Sequence, residues 1–130
     1  MKKNITKKFK QLRYKKADIL RISDYIFSAY SETKSEHKMF RVIIKCEDGE
    51  TLEISDESLS DNQGILVIKK VNCVIISFTD FRNNKSIRFS ITEGNYETEI
   101  EVESSDKEWV DSKTSGIEEI LQSIEPQNTL

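Results

Sequence analysis

The sequence predicts an α+β fold: an antiparallel meander of about five to six strands, with an N-terminal and a C-terminal helix packed on one face. Two observations support this prediction. Apolar residues recur at three- and four-residue steps over residues 17–30 and again near residues 115–124. Between them, residues 40–103 contain apolar runs with two-residue alternation, separated by turn signals.

The N-terminal segment is strongly basic. Residues 1–45 contain 13 Lys/Arg and 4 Asp/Glu, whereas residues 46–130 contain 7 and 19. We interpret residues 1–16 as a basic arm or helix, because Ile5, Phe9 and Leu12 have helical spacing. This segment can bind phosphates or an anionic surface, pack against the acidic half of its own chain, or remain solvated. Its candidate anion or nucleic-acid contacts are Lys7, Lys8, Lys10, Arg13, Lys15 and Lys16.

Residues 17–126 form one predicted domain, and residues 127–130 a tail. The first helix covers residues 17–30, with its apolar stripe on Ile19, Ile22 and Ile26. The second begins at a capping box, either Ser115 with Glu118 or Ser105 with Glu108, and ends before Pro126. Its apolar stripe contains Ile117, Ile120, Leu121 and Ile124.

The strands are predicted from alternation and turns. Asp48-Gly49 indicates a hairpin, with Leu52 and Ile54 on the same side as Ile44. Residues 65–78 read as a central strand, with a bulge or break near Lys69, Lys70 and Asn72. Turns at Asn83-Asn84 and Gly94-Asn95 bound a further hairpin. Its register pairs Ile87 with Val102, Phe89 with Ile100 and Ile91 with Thr98 on the buried face, and Arg88 with Glu101 and Ser90 with Glu99 on the wet face.

We find no catalytic, cofactor-binding or metal-binding constellation in the sequence. His37 is the single histidine and lies in a polar loop, and the four glycines form no phosphate-binding loop. Cys46 and Cys73 lie in apolar runs, so we expect free thiols rather than a disulfide. The alternating acids Glu97, Glu99, Glu101 and Glu103 suit either a solvated strand face that deters edge pairing or a calcium or magnesium site, and we favour the solvated face.

The C-terminal part resembles a family of small uncharacterised domains from low-GC Gram-positive bacteria and their phages. The resemblance covers Val74 to Asn128, under half of the chain. It implies a soluble module, in some such proteins placed before membrane segments, and no activity. The residues that carry it are Ile76-Ser77-Phe78, Lys85-Ser86-Ile87, Glu108-Trp109-Val110, Ile117-Glu118-Glu119-Ile120-Leu121 and Pro126-Gln127-Asn128.

Three classes of function stay open. The first is a non-enzymatic interaction or regulatory module, phage- or defence-related, acting through a sheet face, an edge or Trp109, with a protein partner or self-association. The second is nucleic-acid or nucleotide binding through the basic N-terminal segment. The third is a small enzyme whose site the sequence does not reveal. We expect a cytoplasmic protein without a membrane span, because no segment has the necessary apolar length.

Overall fold

The computed structural model describes residues 3–10, 12, 14–66, 71–92 and 97–124. Six strands and two α-helices form the fold, together with a kinked 3₁₀ segment over Ser60–Leu66. The strands are β1 (Lys3–Lys10), β2 (Lys38–Cys46), β3 (Thr51–Ser55), β4 (Val71–Asp80), β5 (Lys85–Thr92) and β6 (Glu97–Ser104). The helices are α1 (Lys16–Glu32) and α2 (Lys107–Gln122).

All six strands belong to one antiparallel sheet, in the order β1-β6-β5-β4-β2-β3. The predicted α+β class is therefore confirmed. Strands β4, β5 and β6 form a meander. Strands β3 and β4 lie on opposite sides of β2, so the chain that connects them passes the end of β2.

The predicted register between β5 and β6 is confirmed pair by pair, from Ile87 with Val102 to Ile91 with Thr98. The Asp48-Gly49 hairpin is also confirmed, and Ile44 pairs with Leu52. Gly49 has a φ of 89°, which a residue with a Cβ rarely adopts. The pairing of β2 with β4 shifts between Lys45 and Cys46, which is the irregularity expected near Asn72.

Residues Lys3–Lys10 form a strand, so of the two forms predicted for residues 1–16, an arm or a helix, the helix is wrong over this range, whereas the helix predicted over residues 17–30 is present as α1. Strand β1 pairs along its whole length with β6, from Lys3 opposite Ser104 to Lys10 opposite Glu97. The spacing of Ile5 and Phe9 fits either a helix or one face of a strand, and pairing with β6 decides between them. Of the three interpretations of the basic segment, packing against the acidic half is the one that these residues adopt.

Both helices pack on one face of the sheet. Their inward residues form one core with alternate strand residues, including the fully buried Ile22, Ile76, Phe89 and Ile117. Asp106 caps the N-terminus of α2, and its carboxylate accepts a hydrogen bond from the backbone N–H of Trp109 at 3.2 Å. Of the two predicted starts of this helix, near Ser105 and near Ser115, the earlier one is therefore within one residue of the observed N-cap.

Several predicted features lie outside the described residues. These are the Gly94-Asn95 turn, Lys69, Lys70, Arg13, Pro126, the tail over 127–130 and the side chains of Phe9 and Lys10. No described helix is long and apolar enough to cross a membrane.

Candidate interaction surface

The side of the sheet opposite the helices is here called the open face. Because side chains alternate along a strand, each strand that buries one set of residues in the core presents the other set on this face. Both helices lie on the opposite side, so no element in the described parts of the chain covers it. A six-stranded sheet thus has one packed surface and one uncovered surface.

In the described part of the chain, the middle of the open face carries one charged side chain, the exposed Arg88 of β5, among uncharged ones. Strand β4 contributes no ionisable group except one thiol, β2 adds two apolar residues, and β5 adds small hydroxyls beside Arg88. The uncharged side chains, all partly exposed, form a central patch. This central patch consists of Met39, Ile43, Cys73, Ile75, Ser77, Thr79, Ser86 and Ser90.

Charged side chains flank the central patch on both sides. On β6 they are the four alternating glutamates, of which Glu97 lies 3.7 Å from the Nζ of Lys8 on β1. On β2 they are Lys45 and Arg41, whose guanidinium binds Glu53 on β3 at 2.7 Å. A centre with few charges and a charged rim is typical of protein interfaces.

The glutamate column does not lie at a sheet edge, because β1 covers β6. The expected role in deterring edge pairing therefore does not apply to β6. The exposed lysines of β1, such as Lys8, occupy the true edge, where charge limits unwanted strand addition. Among the described residues, no group of three or more His, Cys, Asp or Glu is placed to hold a metal ion.

One end of the open face carries an exposed aromatic ring. Phe81 follows β4 directly and is 58% exposed, and its backbone N–H donates to the carbonyl of His37 at 2.8 Å. This bond extends the β2–β4 pairing by one residue beyond Lys38 and Asp80. Phe81 and Met39 line an open pocket of about 670 Å³ there.

Two of the ionisable groups that line this pocket, those of Lys38 and Asp56, have structural roles. The Nζ of Lys38 donates to the carbonyls of Tyr30 and Thr33, at 2.9 Å each, at the end of α1. The carboxylate of Asp56 accepts the backbone N–H of Phe40 at 3.0 Å. Both groups tie elements together, so they are poorly placed to act on a substrate.

The turn that carries Phe81 is built around a buried carboxylate. Asp80 is 1% exposed and accepts hydrogen bonds from the backbone N–H groups of Arg82 and Asn83. Burial acts to raise the pKa of Asp80, but hydrogen bonds from Asn83, Arg82 and Ser35 outweigh it and lower the pKa below its ordinary value. The charged carboxylate therefore stabilises the turn.

The structure separates the candidate anion contacts instead of gathering them. Lys7 and Lys8 project to opposite faces of β1: Lys7 pairs with Glu118 of α2, and Lys8 with Glu97 of β6. Lys3 pairs with Asp111 of α2 at 2.5 Å. Lys15 and Lys16 are exposed at the start of α1, and Lys15 donates its backbone N–H to Asp18.

Trp109, the candidate protein contact, is partly buried and packs against the core. The Nζ of Lys85 lies 5.1 Å from the centre of its ring, a cation–π geometry. The indole thus joins α2 to the start of β5, on the helix side of the sheet. Its use by a partner stays a prediction.

Comparison with protein-family models, with curated proteins and with solved structures found no match to this chain. The resemblance to small domains of Gram-positive bacteria and phages therefore stays a prediction, and only the geometry bears on function.

The residues of the open face can be predicted from the sequence, but the exposed position of Phe81 was not predicted. Alternation in β4 and β5 already places Ile75, Ser77 and Ser90 on one side. The sequence signal for Phe81 is an apolar residue between Asp80 and the Asn83-Asn84 turn, where a polar residue is usual.

Proposed function

We propose that this chain is a non-enzymatic protein-interaction module that binds its partner through the open face. The proposal is carried by one observation: a complete face of a six-stranded sheet has no covering element in the described residues, and Arg88 is the one charged side chain that the described part of its two central strands presents there. Removing aliphatic groups from water is favourable, and a hydroxyl is buried at little cost when it gains a hydrogen-bond partner, whereas burying isolated charges costs several kcal/mol each.

The exposed Phe81 adds support for a protein partner. Aromatic residues are enriched among the side chains that dominate binding energy. The turn around Asp80 fixes the backbone at Phe81, so little conformational entropy is lost when its ring is buried. Phe81 would thus be an anchor at one end of the interface.

Phosphate binding is less well supported by this geometry. Lys3, Lys7 and Lys8 already have carboxylate partners within the chain, so binding a phosphate there would require breaking those pairs. Phosphate contacts are favourable mainly because free cations release counterions from nucleic acid. A lysine that is already paired with a carboxylate of its own chain therefore contributes less to the free energy of phosphate binding than a free lysine.

The proposal is tested by site-specific photo-crosslinking in the native cells. A photoreactive residue replaces Ser77 at the centre of the open face, and in the matched control it replaces Ser31, an exposed serine of α1. We expect covalent protein adducts from position 77 and few from position 31. Equal or absent adducts at both positions would overturn the proposal.

A further inference from the structure

We infer that the occupant of the open face is a second copy of this chain, packed sheet against sheet about a two-fold axis parallel to the strands. This inference rests on the proposed function, because it names the partner of the same surface. It follows from how the registers of neighbouring strands arrange charge across the face.

Cross-strand pairing places residues in rows that run across the sheet. One row contains Lys45 on β2, then Cys73, Thr92 and finally Glu97 on β6. The row begins with a cation and ends with an anion, and its two central residues are uncharged. Lys45 is exposed, and no other described side chain forms an ion pair with it.

A second row also begins with a cation and ends with an anion, but its third residue is a second cation, Arg88. It contains Arg41 on β2, then Ser77, Arg88 and Glu101 on β6. Between the two rows lies a third, with Ile43, Ile75, Ser90 and Glu99. The cationic side chains of β2 and the anionic column of β6 are therefore at equal distances from the boundary between β4 and β5.

The ends of the first two rows are self-complementary for one of two symmetry axes that lie in the plane of the face, which also places Glu99 on the partner's Ile43 and Arg88 on the partner's Ser77. A two-fold axis that runs parallel to the strands, between β4 and β5, places each row of one copy over the same row of the other copy, in the opposite direction. Lys45 then faces the partner's Glu97, which is 3.7 Å from Lys8 of its own chain, and Arg41, which binds Glu53 of its own chain, faces the partner's Glu101. The axis perpendicular to the strands instead places β6 on β6, so that glutamates face glutamates.

At the centre of such a dimer, the facing strands present mostly small side chains, so the two surfaces are nearly flat. Strand β4 of one copy lies over β5 of the other, so Ile75 meets the partner's Ser90. Small side chains here permit the separation of about 10 Å at which stacked sheets pack, with their strands about 30° apart. At the rim this rotation separates the facing residues further, and long Lys and Glu side chains can reach across that distance.

The available area fits a stable but modest interface. Six strands spaced about 4.8 Å apart, each presenting roughly 25 Å of length, give a face of roughly 600 Å² per copy. Two copies would bury about 1,200 Å², the lower limit for specific complexes. We therefore expect a dimer that forms reversibly at micromolar to millimolar concentration.

Sedimentation velocity on the full chain over that concentration range tests the inference. Lys45→Glu should weaken the dimer about tenfold, because it replaces two symmetry-related attractions by repulsions. The double variant Lys45→Glu, Glu97→Lys should recover most of the loss. Ser90→Lys, in the central patch, should abolish the dimer, and Ser31→Lys on α1 is the matched control.

The partly exposed Cys73 supplies an independent readout. The two Cys73 thiols of the dimer lie in the same row, one strand to either side of the axis, so a short bis-maleimide should join them. Cys73→Ser should abolish this product.

The possible results separate the two proposals. A wild-type chain that stays monomeric at millimolar concentration, or a dimer unaffected by Ser90→Lys, overturns the second-copy inference. The same monomer with strong adducts from position 77 to another protein leaves the proposed function standing. Dimer loss with Lys45→Glu, its recovery in the charge-swapped variant and the Cys73 product together support the inference.

Discussion

The side-chain amide of Asn83 donates a hydrogen bond of 2.8 Å to the carboxylate of Asp80, across the turn that exposes Phe81. Two backbone N–H groups bind the same carboxylate. Most of the local order of this turn thus depends on one buried acid.

Asp80→Ala should lower the free energy of unfolding by about 2–3 kcal/mol, since it removes a buried acceptor that binds three partly buried donors. Urea denaturation measures the change. Asn83→Ala removes only one donor and should cost about 1 kcal/mol. Equal, small effects of the two variants would contradict the central role of Asp80.

The lowered pKa of Asp80 also predicts a pH dependence. Its contribution to stability is complete above the unfolded pKa of about 3.9 and is lost as the pH falls through the lower folded value. The stability difference between wild type and Asp80→Asn should therefore shrink only below about pH 4. A difference that is unchanged down to pH 2 would contradict this linkage.

Gly116 in α2 lies against the ring of Tyr25 in α1, and a methyl group at position 116 would overlap that ring. Gly116→Ala should therefore destabilise the protein by about 1–3 kcal/mol, although alanine favours helix. In a Tyr25→Ala background the same substitution should become neutral or stabilising, by up to about 1 kcal/mol. Gly64→Ala, which meets no neighbour within 4 Å, is the control. Thermal unfolding of all variants gives the coupling between the two positions.

Tyr14 shares a hydrogen bond with the hydroxyl of Thr98, which is fully buried on β6. Burial raises the pKa of Tyr14 to about 12, and Asp18 adds to the shift. The associated stability is complete below about pH 10 and declines as the pH approaches 12. Absorbance titration of phenolate should show one tyrosine of the wild type ionising near pH 12. The Tyr14→Phe variant should lack this last ionisation step. Tyr14→Phe should also cost about 1–2 kcal/mol, because Thr98 loses its partner.

The two free cysteines should differ in reactivity, because Cys46 is buried on the helix side and Cys73 is partly exposed on the open face. A thiol reagent should modify one cysteine quickly in the native protein and the second only after unfolding. Cys73→Ser should remove the fast phase. Two equally fast thiols would contradict the assignment of these residues to opposite faces.

Sequence patterns predicted the parts of the fold that local rules determine. The β5–β6 register follows from alternation and a turn, and Ile87, Phe89 and Val102 lie where the pattern placed them. The strand at Lys3–Lys10 was not predictable in this way, because its partner lies at the other end of the domain. Likewise, Lys7 looks available for phosphate in the sequence, and only the approach of Glu118 shows that it is paired.

The pairing of β1 with β6 also sets the order in which the chain can be completed during synthesis. Residues 3–10 leave the ribosome well before their hydrogen-bonding partners at residues 97–104. The nascent β1 must wait, and its lysines keep it hydrated and repel other nascent chains in the meantime. Closing this longest loop is therefore expected to be the slow step of folding.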